Sequence, residues 1–143
     1  MRLRTNLLLA CIILGAVFPI LAGDVNHRFE GIWGGVETFQ VDANIRQKGD
    51  TISKPCLIAI TDGGKLVGIV QGLFPARYSV SDKESSGNKL VFFGGARAST
   101  LVLAADGNTL TERGTAYLPG IRGNANTVLQ STVTATLHRQ EKK

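Results

Sequence analysis

The sequence predicts an all-β fold, an antiparallel up-and-down meander of about eight or nine strands that closes into a barrel. Three observations predict it. The same punctuation recurs at Asp62-Gly63-Gly64-Lys65-Leu66-Val67, Ser86-Gly87-Asn88-Lys89-Leu90-Val91 and Asp106-Gly107-Asn108-Thr109-Leu110-Thr111. Each is a tight-turn signal followed at once by β-favouring residues, because Gly and Asn accept the positive φ of short hairpin turns. No segment sustains a 3.6-residue period, whereas from Gly31 onward β-branched and aromatic runs alternate with Gly, Asn, Asp and Pro breaks. Finally, Gly34-Gly35 and Gly94-Gly95 interrupt strand-like runs without ending them, which suits the bulges and bends by which a sheet curls. Closure then removes the edge strands that would otherwise invite aggregation.

Taken in chain order, residues 1–22 read as a secretory signal peptide. Arg2 and Arg4 are its positive region, Leu7 to Leu21 its apolar run, and Ala22-Gly23 its small-residue cleavage site. The run falls short of the ~20 residues that a spanning helix needs, so no membrane span is expected. Cleavage leaves a single domain over 23–143, secreted or periplasmic. A lipobox-like match at Leu8-Leu9-Ala10-Cys11 is set aside, because the Cys comes too early and the apolar run continues through Ile12 to Leu21. A turn or two of helix fits Asp24 to Phe29. Strands follow near 31–39 and 41–47, readable as one long strand bent at a bulge, and then near 51–61, 65–72, 76–81, 89–94, 97–104, 109–118 and 128–139. Only the 119–127 connection reads as long and loose.

The turns fix registers. With Gly63-Gly64 as a two-residue loop, Ile60 faces Val67 and Ile58 faces Ile69 on one side, while Leu57 faces Val70 and Thr61 faces Leu66 on the other. Both faces of this hairpin are apolar, where a solvated antiparallel sheet would alternate. A second layer, a loop or another subunit is therefore expected over the outer face of 57–70. The last strand alternates cleanly, with Leu129, Ser131, Val133, Ala135 and Leu137 on one face and Gln130, Thr132, Thr134, Thr136 and His138 on the other. In the hairpin before it, Arg97 shares parity with Leu101 and Leu103, and Glu112 with Leu110, Ala116 and Leu118. Asp106-Gly107 and Gly107-Asn108 as the loop both put these two charges on one side. Either they lie near the barrel ends and reach solvent, or they form an orienting pair at the polar end of an apolar ligand cavity.

Composition and motifs exclude much. The formal charge is +5, about +3 once Arg2 and Arg4 leave with the signal, and it is spread along the chain instead of clustered as a nucleic-acid surface requires. Cys56 is the only cysteine beyond the signal and alternates with Ile58 and Ile60, so it reads as a buried structural thiol, and no intramolecular disulfide can form. His27 and His138 are the only histidines and neither stands in a triad, zincin or other catalytic motif. The acidic residues sit mostly in turns, at Asp50, Asp62, Asp82, Glu84 and Asp106, which does not build the converging pair of a glycosidase. No enzyme activity, cofactor or metal is expected.

Phe29-Glu30-Gly31-Ile32-Trp33 carries a Gly-x-Trp, and Leu137-His138-Arg139 places a basic residue at the end of the last strand. On these residues the chain resembles the lipocalin-type (calycin) barrels, and the segment from Ala43 to Ile52 resembles small bacterial lipocalin-like domains. The resemblance implies that Arg139 packs across Trp33 and plugs the closed end of the barrel, a cation–π contact. It also implies binding of a small, mostly apolar ligand; Trp33 and Arg139 from the resemblance, and Arg97 and Glu112 from their shared hairpin face, are the candidate ligand-binding residues. The other reading is a protein-interaction module, an inhibitor or envelope-assembly component with a filled barrel. Such a module would contact a homo-oligomeric or other protein partner through 57–70.

Overall fold

The computed structural model describes residues 26–42, 50–73, 75–119 and 128–141. A single 3₁₀ turn, His27–Phe29, leads into eight strands: β1 (Gly31–Val41), β2 (Thr51–Thr61), β3 (Leu66–Gln71), β4 (Ala76–Val80), β5 (Lys89–Gly94), β6 (Arg97–Leu103), β7 (Thr109–Pro119) and β8 (Val128–Arg139). All neighbours pair antiparallel in sequence order, and β8 returns to β1 to close the barrel. The expected strand at 41–47 contributes Val41 to the end of β1, and residues 43–49 lie outside the described residues, as do the expected signal peptide at 1–22 and most of the 119–127 connection. Among the described residues no helix is long and apolar enough to cross a membrane.

An up-and-down barrel places alternate connections at opposite ends. The three turn motifs therefore share one end, at 62–65, 81–88 and 104–108, together with the 3₁₀ turn and the C-terminal end of β8. Asp106-Gly107 is the centre of the third, since Leu103 pairs with Leu110. Two sequence expectations are corrected. Leu57 faces Gln71 rather than Val70, because a bulge between Leu57 and Ile58 leaves Val70 as the extra residue of β3. Gly94-Gly95 ends β5 instead of bending it, as Gly94 pairs with Arg97 across a tight Gly95-Ala96 turn in which Gly95 takes φ +52°. Gly35 does lie within a strand. A methyl group there would overlap the Thr136 carbonyl oxygen of β8, so only glycine permits the close β1–β8 approach that closes the barrel.

The interior is filled through most of its length. Toward the turn end, Phe29, Trp33, Ile58, Ile60, Leu90, Phe92, Leu101, Leu110 and Leu137 form one apolar cluster. Toward the other end, Phe39, Val41, Ala116, Leu118 and Val133 form a second. Outside, β1–β3 present Ile32, Val36, Leu66 and Val70 to solvent, with Val36 52% and Val70 58% exposed. Nothing in the described chain covers the outer apolar face of 57–70.

Candidate functional site

Between the two apolar clusters lies a charged layer. Glu37 on β1 and Glu112 on β7 both pair with Ala135 of β8, from opposite sides. Their Cα positions thus flank one small residue, two strand spacings or about 10 Å apart. Arg97, at the start of β6, reaches into that gap. Its Nη2 donates to Glu37 Oε1 and to Glu112 Oε1, each at 2.5 Å, and Nε donates to Ser99 Oγ at 3.4 Å. Two hydrogens on one nitrogen serve two carboxylates. The guanidinium also lies 5.9 Å from the Phe39 ring centroid and 5.7 Å from that of Phe92, aromatic faces that favour a cation.

Arg97 is 7% exposed and Glu112 3%, so the reading in which both reach solvent at a barrel end is rejected. Glu37 is the residue that sequence reasoning missed, although its parity with Trp33 and Phe39 on β1 was the available signal. The second oxygens, Glu37 Oε2 and Glu112 Oε2, are buried without a hydrogen-bond partner. Burial raises the Glu37 carboxyl above its usual range, the nearby Arg97 charge offsets part of that rise, and the Glu112 charge adds to it. For Arg97, burial works against the charged form, but the two carboxylates outweigh it and hold the guanidinium ionised. Cys56 is pushed up to about 12, first by burial and then by the charge of Glu37, so it stays an inert thiol at neutral pH.

A group whose folded pKa is raised adds stability below its unfolded pKa and loses it as pH climbs through the folded value. The barrel is therefore expected to weaken as pH rises above the ordinary glutamate range, by up to about 1.4 kcal/mol per pH unit for one proton. Glu37→Gln should flatten that slope. Urea midpoints taken across the range from acid to neutral pH check it, and an unchanged slope in the variant counts against the assignment.

Above the charged layer, at the end away from the turn motifs, a cavity of about 390 Å³ opens. Phe39, Tyr78, Gly94, Gly95, Ala116 and Tyr117 line it, with Arg97 in the wall and Arg77 exposed at the rim. Trp33 and Arg139 meet at the opposite end, where the Arg139 guanidinium lies 4.2 Å from the Trp33 ring centroid. Trp33 Nε1 donates to the Phe29 carbonyl at 2.8 Å. Arg139 donates to the carbonyls of Glu30, Arg28 and Gly107, tying the 3₁₀ turn to the β6–β7 turn. Of the four residues singled out from sequence, Arg97 and Glu112 thus come together, as do Trp33 and Arg139, but the two pairs sit at different levels of the barrel.

His27 and His138 lie at the surface, His27 Nδ1 bonded to Glu30 Oε2 at 3.1 Å. Among the described residues no three His, Cys, Asp or Glu side chains converge as metal ligands. The arrangement offers hydrogen-bond donors beside an apolar cavity and an inert thiol below it. No protein-family model, curated protein or solved structure matches the chain.

Proposed function

We propose that the protein is a non-enzymatic, secreted or periplasmic β-barrel of lipocalin type that binds a small, mostly apolar molecule in the cavity beside its β5–β6 turn. The cavity walled by Phe39, Tyr78, Ala116 and Tyr117 carries this reading. Its volume lies within the range of about 300–1,000 Å³ typical of small-molecule sites, and a few polar groups in a largely apolar lining, here Arg97, Arg77 and the two tyrosines, are the usual recipe for orienting such a ligand. Apolar clusters fill the barrel on both sides of the charged layer, which confines the ligand to this cavity and keeps it small. Kinship with the lipocalin type is supported by Gly31-Ile32-Trp33 opening β1 under the Arg139 guanidinium.

A second reading, an interaction module, is favoured by the exposed apolar outer face of β1–β3, where Val36 and Val70 are more than half exposed. Exposed apolar patches of that kind usually mark a partner. One measurement separates the two: native mass spectrometry of the protein purified from its source. A retained small-molecule mass is the expected result. A discrete oligomer or a co-purifying protein without such a mass supports the second reading instead, and a bare monomer counts against both.

A further inference from the structure

Resting on the ligand-binding reading above, we infer that the cavity selects an apolar molecule with an uncharged, hydrogen-bonding head of the hydroxyl type and discriminates against carboxylates. The basis is what already holds Arg97. Arg97 in the cavity wall would, taken alone, suggest a partner for an acidic ligand. Its charge is instead met by two fully buried carboxylates on the far side, both bonded to the same Nη2. With both ionised the cluster carries one net negative charge, and with one of them protonated it is neutral. In either state a third carboxylate on the same guanidinium adds an unbalanced charge in a place where charges interact more strongly than in water.

Hydrogen-bond supply points the same way. Glu37 Oε2 and Glu112 Oε2 are buried acceptors without donors, so this layer already holds two acceptors in want of a donor. A carboxylate head brings two more acceptors and no donor. A hydroxyl brings one of each and no charge. Phe39 and Phe92 flank the guanidinium, which keeps it in its place between the carboxylates. Arg77 at the rim is exposed, and its charge is screened by solvent. The other ionisable groups facing the layer, Cys56 and Tyr78, have both had their pKa raised by burial and supply no compensating charge at neutral pH.

Titration calorimetry with 1-nonanol and with nonanoate, at a pH where nonanoate is ionised, tests the inference on three proteins: the native chain, Glu112→Gln, and the double variant Glu37→Gln with Glu112→Gln. The native protein should bind nonanol at least about tenfold more tightly than nonanoate, a gap of roughly 1.4 kcal/mol. In the double variant Arg97 keeps its hydrogen bonds to the glutamine carbonyl oxygens but loses its countercharges. The nonanoate-to-nonanol ratio should then shift by at least about tenfold toward the acid, with Glu112→Gln in between. Native-like fluorescence of Trp33 confirms that each variant is folded. Nonanoate binding the native protein as tightly as nonanol overturns the inference. So does an unmoved ratio in both variants, which would mean that the preference reflects only the dehydration of the ligand. Binding of neither probe to the native protein overturns the ligand-binding reading itself.

Discussion

Replacing Arg97 by methionine is expected to destabilise the barrel by about 3–5 kcal/mol at neutral pH, the cost of leaving buried charge without its partner. For a domain whose whole stability is on the order of 5–15 kcal/mol this is a large fraction. The side chains of Glu37 and Glu112 are wholly buried and Arg97 is the cation that meets both. Without it two like charges face each other across Ala135, with four carboxylate oxygens and no guanidinium between them. The loss should be pH-dependent in a defined sense. The Glu37 carboxyl, already raised by burial, would lose the Arg97 charge that offsets part of that rise, so the variant should recover stability as pH falls and a proton neutralises it, and lose it as pH rises. Replacing all three residues together, Arg97→Met with Glu37→Leu and Glu112→Leu, should restore stability to near the native value or above it, because a buried ion cluster rarely outperforms apolar packing. Urea unfolding of the three proteins measures this. A single variant within about 1 kcal/mol of native at neutral pH would show that the cluster is not held as described.

The legibility of the chain divides along the same line. Strand order and the first register followed from local chemistry: the turn residues at Asp62-Gly63-Gly64 placed Ile60 opposite Val67, as the barrel has them. The third turn left two loops open, and the pairing of Leu103 with Leu110 decides for Asp106-Gly107. Local signals failed where the fold used a residue for a non-local reason. Val70 became the extra residue of a bulge, and Gly94-Gly95 a turn instead of a bend, since each choice depends on how neighbouring strands must meet. Arg97 and Glu112 could be placed on one face from parity alone. Their shared partner could not, because Glu37 lies 60 residues from Arg97 in the chain and meets it only when β8 closes against β1. The cavity is less legible still. It depends on how far the large apolar side chains fill the bore, and side-chain volume summed along a sequence does not say at which level of the barrel it is spent.

Trp33→Ala is the second substitution with a large expected effect, about 3–5 kcal/mol, from removing a fully buried large aromatic side chain that the surrounding sheet cannot collapse onto. Three interactions are lost at once: the packing of the indole in the lower apolar cluster, the Nε1 bond to the Phe29 carbonyl, and the ring face beneath Arg139. Trp33→Phe separates them. It keeps a ring under the guanidinium and part of the volume but leaves the Phe29 carbonyl without its donor, which alone costs about 1–3 kcal/mol. Combining Trp33→Ala with Arg139→Ala in a double-mutant cycle isolates the contact between the two, expected at about 0.5–2 kcal/mol for a cation over an indole. Simple additivity would mean that Arg139 acts only through its carbonyl bonds to the 3₁₀ and β6–β7 turns. Ligand affinity offers the sharper contrast, since the charged layer of Glu37, Arg97 and Glu112 separates the indole from the cavity. A stability loss of this size with little change in ligand affinity per folded molecule is the outcome expected if Trp33 and Arg139 are a plug. A parallel loss of affinity would place them in the binding site after all.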